Sequence, residues 1–171
     1  MAITTSDLII RLSGGSGNTD PNASLGGAMS TSTAVTDNTT HNLFDQVSGT
    51  ESAAGDTEYR CVYLLNNHGT LTAQNTHVYI SSNTASADTT IDIALDGGGL
   101  NATAEGPVAN ENTAPSGESF TAPTTYAAGL DMTNIPAGQK YALWIRRTVN
   151  AGAAAVNDDA VTIKYDCDTA A

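Results

Sequence analysis

The sequence predicts an all-β chain: an antiparallel sandwich of about seven short strands with an extended N-terminal arm. Three observations predict it. Seven separate stretches alternate apolar and polar residues with a period of two. Turn-forming Gly, Asn, Asp and Pro punctuate the intervals between them. No stretch of about eleven residues or more shows the 3.6-residue period of an amphipathic helix, and the nearest candidate, residues 42–47, is too short to stand alone.

The strands justify themselves in order. Residues 7–12 set Leu8, Ile10 and Leu12 against Asp7, Ile9 and Arg11. Residues 58–66 are apolar on both faces from Cys61 to Leu65, the mark of a central strand covered on both sides. Residues 75–82 oppose Val78 and Ile80 to His77, Tyr79 and Ser81, and residues 89–95 place Ile91, Ile93 and Leu95 inward with Thr90, Asp92 and Ala94 toward water. Residues 129–135 form a weaker strand that runs into the turn Pro136-Ala-Gly138, where Pro fixes φ and Gly accepts a positive one. Residues 140–149 oppose Tyr141, Leu143, Ile145 and Val149 to Ala142, Trp144, Arg146 and Thr148. Residues 159–165 close the set, and the Ala-rich residues 150–158 are expected to join the last two strands as a hairpin.

Composition tests whether such a core can exist. Small residues dominate, with Ala 26, Thr 25, Gly 16, Asn 14 and Ser 13, while Leu, Ile, Val and Phe together number only 30 of 171. That fraction, with a net charge of −12, is the signature of a chain that struggles to fold. The shortage is local, because 19 of the 30 lie in the seven strands. Residues 13–57 and 96–124 are correspondingly sparse, and long intervals of this kind are functional or flexible. The expected organisation is an N-terminal strand and arm in residues 1–57 and a sandwich in residues 58–171, with the alternative that the N-terminal strand belongs to the same structural unit.

Six basic against eighteen acidic residues repel phosphate backbones and anionic lipid, so neither nucleic acid nor a membrane is an expected partner. The start lacks a basic, apolar leader, which predicts synthesis in a cytoplasm and two free thiols, with Cys61 packed as a small hydrophobe. Catalytic and metal constellations are not marked out. His68 and His77 would approach across a hairpin but lack a third ligand at defined spacing. Asp88 and Asp92 flank a regular strand and lie roughly 13 Å apart at ~3.3 Å per residue, too far to share an ion. Residues 97–99 lack the Lys and Ser or Thr of a phosphate loop, and there is no G-x-S-x-G elbow. The expectation is a non-enzyme with no cofactor and no metal.

Two resemblances add to this reading. Leu65-Asn-Asn-His-Gly-Thr-Leu-Thr72 with Asn75-Thr-His-Val-Tyr-Ile80, and Asn134-Ile-Pro-Ala-Gly-Gln-Lys-Tyr-Ala-Leu-Trp-Ile145, resemble the strand and turn patterns of bacterial immunoglobulin-like repeats of the CARDB type. The stretch Arg11-Leu-Ser-Gly-Gly-Ser-Gly-Asn-Thr-Asp-Pro-Asn-Ala-Ser-Leu-Gly-Gly27, together with residues 42–47, 55–63 and 144–149, resembles small virion proteins of tailed bacteriophages, of the head-decoration or cement type. The first implies an immunoglobulin-like sandwich. The second implies a structural role on the outer capsid surface, binding the major capsid protein and further copies of the chain, with a trimer as the expected oligomer.

The residues expected to touch a partner are Arg11, Pro21, Leu25, Met29, Leu43 and Phe44 along the arm, and Trp144 and Arg146 on a strand face opposite Leu143 and Ile145. Trp and Arg are enriched at binding hot spots. Two readings of Trp144 stand side by side: an exposed contact, or a side chain covered by the N-terminal segment folding back. The alternative function is a carbohydrate- or cell-surface-binding module of a head or tail fibre, with Trp144, Tyr79 and Tyr126 as stacking platforms.

Overall fold

The computed structural model describes residues 2–169. Its seven strands are β1 (Leu8–Leu12), β2 (Asp56–Asn66), β3 (Ala73–Ser82), β4 (Thr89–Leu95), β5 (Leu130–Asp131), β6 (Lys140–Val149) and β7 (Thr162–Thr169). They form two antiparallel sheets, ordered β1-β2-β6-β4 and β5-β3-β7, so the chain is an antiparallel β-sandwich. β2 and β6 are its centre, paired from Asp56↔Val149 to Leu65↔Lys140. Val62, Leu64, Ile91, Ile93, Leu143 and Ile145 on the larger sheet meet Val78, Ile80, Met132 and Ile135 from the smaller side.

β4 and β6 occupy the expected residues. The fifth strand is cut to two residues because Thr133, at φ 63°, turns the chain so that Met132 and Ile135 both enter the core. The last strand begins later than expected and continues the alternation through Ile163, Tyr165 and Cys167. Its connection is also corrected: β6 and β7 lie in different sheets, so residues 150–158 cross the sandwich instead of closing a hairpin. Period-two alternation shows which side of a strand is buried, not which sheet receives it. Ala94, expected to face water, is buried under a second layer described below.

The larger sheet has the A-B-E-D strand order of an immunoglobulin domain. In the smaller sheet β7 takes the place of strand F beside β3, the counterpart of C. Among the described residues no strand occupies the G position next to β7, and the short β5 is added on the opposite side of β3.

The long N-terminal interval is folded back along its own sandwich. The amides of Ser30 and Val35 donate to the carbonyls of Leu12 and Ile10, each at 2.8 Å, and cover the free edge of β1. Where β1 ends, Ser24 and Glu111 extend the cover along β2, their carbonyls accepting from the amides of Cys61 and Tyr59 at 2.7 Å. A short helix, α1 (Gly49–Ala54), precedes β2. Its signal is the capping box Ser48-x-x-Glu51, in which Glu51 N–H donates to Ser48 Oγ and Ser48 N–H to the Glu51 carboxylate.

Candidate functional site

Two of the side chains singled out by sequence, Trp144 and Met29, meet on the outer face of the larger sheet, within a second layer instead of facing solvent. Trp144 is 0% exposed and packs with Tyr59, Cys61, Tyr63, Ala94, Ala104 and Ala142, with Met29, Val108 and Phe120 at the margin. Of the two readings of Trp144, the covered one holds, so its assignment as a partner contact is corrected. The cover is backbone at close range. Gly26, at φ +102°, lies so near that a Cβ there would stand 3.0 Å from the Trp144 ring and 2.5 Å from the Glu105 carbonyl. Only glycine accepts that conformation and approach.

Polar groups fix this layer. The Trp144 Nε1–H donates to Asp96 Oδ2 at 3.0 Å, and the same carboxylate accepts from the amides of Glu105 (3.0 Å) and Gly98 (2.9 Å). Asp96 is 3% exposed, a carboxylate whose lone pairs are taken by fixed donors. The Tyr63 hydroxyl donates to the Gly27 carbonyl and accepts from the Ala104 amide at 2.7 Å, tying both loops to β2. Burial pushes its pKa up to about 12. Ser24 Oγ donates to the Cys61 carbonyl at 2.7 Å and accepts from the Ser13 amide at 2.8 Å.

Leu43 and Phe44 lie on the opposite, inner face of the same sheet, where they pack against the core beside a charged cluster formed by Glu58, Arg60 and Arg147. Phe44 lies between the guanidiniums of Arg60 and Arg147, 5.3 and 4.9 Å from its ring centroid. Arg60 donates to Glu111 at 2.6 Å and to the Leu43 carbonyl at 3.2 Å. Arg147 is paired with Glu58 and donates to the Asp45 carbonyl at 2.6 Å. Burial pushes the Glu58 carboxyl above its ordinary value, and Arg147 opposes the shift. Asp45, Glu58 and Glu111 converge closely enough to share a cation. Two guanidiniums already occupy that position, so the cluster is an ion-pair network clasping residues 43–45 to β2 and β6.

The remaining candidates also bind their own chain. Arg11 Nη1 donates to the Thr31 carbonyl at 3.1 Å, and Arg146 pairs with Asp92 at 2.7 Å while stacking over Phe120 at 4.9 Å. Pro21 opens a single helical turn and lines a cleft of about 210 Å³ with Leu12 and Val35. Leu25 is half-buried, its carbonyl accepting from Val108 N–H at 2.9 Å. A second cleft, of about 190 Å³, opens between β1 and β7. Both are smaller than the roughly 300–1,000 Å³ of ordinary ligand pockets.

His68 sits in the loop between β2 and β3, and His77 lies on β3 itself. His68 Nδ1 accepts from the Leu71 amide at 2.9 Å within its own turn, and His77 stacks on Tyr126 at 4.5 Å. The platform proposed for sugars is dismantled in the same way, since Trp144 and Tyr79 are buried and Tyr126 is the exposed member. Cys61 is a buried free thiol and Cys167 a half-buried one. The roles of Asp96, Tyr63 and Glu58 were missed by sequence reading, and the one available signal was the position of Tyr63 and Glu58 on the central strand.

Comparison with family models, with curated proteins and with solved structures finds no match to this chain. The fold and site therefore define a class by their own geometry: a β-sandwich whose long loops are locked onto one sheet by buried charges and an enclosed tryptophan.

Proposed function

We propose that this chain is a non-enzymatic structural protein of a tailed-phage virion, decorating or cementing the capsid by binding the major capsid protein across subunit boundaries. The observation that supports it most is where the cations go. All six are engaged inside the chain: Arg60, Arg146, Arg147 and Lys164 in ion pairs, Arg11 on the Thr31 carbonyl and Lys140 over the Tyr63 ring at 5.4 Å. Most of the eighteen acids have no such partner, so the exterior carries a large net negative charge. Such a surface repels packaged nucleic acid and favours a cationic protein face, which suits a coat on the outside of a capsid made in the host cytoplasm.

The locked loops give that surface a fixed shape, which lowers the entropic cost of docking. A subunit that binds only the assembled lattice stabilises it by mass action. The test is co-sedimentation with expanded and mature capsids of the phage that encodes the chain. Binding at lattice stoichiometry that weakens with salt is expected, and failure to co-sediment with either form removes the reading.

A further inference from the structure

The four outer borders of the two sheets are not treated alike. The β1 edge is covered by Ser30 and Val35, and the β4 edge by Thr121, which exchanges hydrogen bonds with Ile93 at 2.8 and 3.0 Å. The far side of β3 is taken by β5 and by the carbonyls of Pro123, Thr133 and Ile135. β7 has no such cover: among the described residues its backbone bonds only to β3. Unprotected edges of this length are normally blunted by a proline, a bulge or an inward charge. β7 has none of these, since both irregularities of the β3–β7 ladder place the extra residues on β3 and the inward side chains are Ile163, Tyr165 and Cys167; its edge charges, Lys164, Asp166 and Asp168, alternate with these on the outer face.

The outward-facing groups can be assigned. Ile80 N–H donates to Pro123, away from β7, so the Ile80↔Ile163 pair is the non-hydrogen-bonded kind. Ile163 therefore also turns its N–H and C=O away from β3, and by the period of two so do Tyr165 and Cys167. Beneath them the sandwich flank is open, a cleft of about 190 Å³ lined by Leu8, Ile10, Leu64, Ile163 and Tyr165. This is the flank on which, among the described residues, no G strand lies.

We infer that this edge pairs with β7 of a second copy of the chain, antiparallel about a two-fold axis at Tyr165. The sequence of the strand is complementary to itself in that register. Lys164 stands opposite Asp166 of the second copy, and Asp166 opposite its Lys164, on the outer face. Ile163 stands opposite Cys167 of the second copy on the inner face, above the open cleft. The free N–H and C=O groups of Ile163, Tyr165 and Cys167 then find one another. Lys164, 53% exposed, already reaches its own Asp166 at 3.2 Å, so its ammonium lies where the opposing carboxylate would arrive. The net −12 of each copy opposes association, but at physiological ionic strength the Debye length is about 8 Å and only charges near the seam count. The inference is independent of the capsid reading, because the dimer forms in solution without a lattice.

Sedimentation equilibrium of the full chain at physiological salt tests it. The wild type should be a concentration-dependent dimer. Lys164→Asp should weaken the dimer by about tenfold or more, from two attractive cross-strand pairs turned repulsive, and Asp166→Lys likewise. The double variant Lys164→Asp/Asp166→Lys should regain it. Cys167→Pro removes an outward N–H without touching the β3 ladder and should abolish dimerisation while Trp144 fluorescence stays native. A wild type that remains monomeric at every concentration overturns the inference and leaves the edge to a foreign strand. A dimer indifferent to the single charge variants and to Cys167→Pro, or one not restored by the double variant, overturns it as well.

Discussion

Replacing Asp96 by alanine should cost about 3 kcal/mol of folding stability and release the second layer. The carboxylate accepts three donors at 2.9–3.0 Å in a site 3% exposed. Trp144 Nε1 lies deepest, and a buried donor stripped of its acceptor costs roughly 1–3 kcal/mol, toward the upper end when the lost partner is charged. The Gly98 and Glu105 amides lie in loops that can reach water once freed, so they add less. Asp96→Asn should fall between, because one carbonyl oxygen replaces two carboxylate oxygens. The assay is urea unfolding followed by fluorescence, with Trp144, the single tryptophan, as reporter. Folded Asp96→Ala should emit further to the red than wild type, since loosening residues 24–29 and 104–108 hydrates the indole. A loss below about 0.5 kcal/mol with unchanged emission would refute the assignment of Asp96 as the tie between loops and sheet.

Gly26→Ala should destabilise by about 2–4 kcal/mol by the same assay, since a Cβ would meet the Glu105 carbonyl at 2.5 Å at a positive φ. Arg147→Met leaves Glu58 buried without its guanidinium and should cost about 3–5 kcal/mol at neutral pH. Burial already holds the folded Glu58 pKa above its unfolded value, so its contribution to stability is full below the unfolded value and lost as pH rises through the folded one. Removing Arg147 raises the folded value further, so the penalty should shrink as pH falls toward the ordinary carboxylate range, read as urea midpoints against pH. Burial pushes the Cys61 thiol far up, and its modification by a thiol reagent should track global unfolding. Deleting residues 1–57 removes β1, whose Leu12 is 1% exposed, and with it the cover over Trp144; the product should be unfolded by circular dichroism.

The sandwich was legible because each strand writes its burial in period two, and β2 announces itself as central by being apolar on both faces. Sheet membership was not, since Ile163 and Ile145 alternate alike although one serves each sheet. The site was legible only as an ambiguity: Trp144 opposite Leu143 required a cover of some kind, and nothing local said whether the cover was a partner or residues 24–29. What decided it was tertiary, a carboxylate at Asp96 and a glycine at 26 meeting one indole from distant parts of the chain.

The scarcity of large apolar residues then acquires a cause. A sheet buried on both faces normally needs a second apolar element above it, a helix or another sheet, to fill the roughly 10 Å between layers. Here the upper layer is loop backbone, and loops can lie that close only if their residues are small and their polar groups are satisfied from below. Gly26, Gly27, Ser24 and Ala104 meet the first condition, and Asp96, Tyr63 and the carbonyl of Cys61 meet the second. A large side chain at the buried positions Ser24, Gly26, Gly27 or Ala104 would lift the loop off Trp144 and unpair a buried donor. The small residues that first suggest weak folding are therefore what this packing requires at its buried positions, and replacing Ser24, Gly27 or Ala104 by Leu or Ile should lower stability, not raise it.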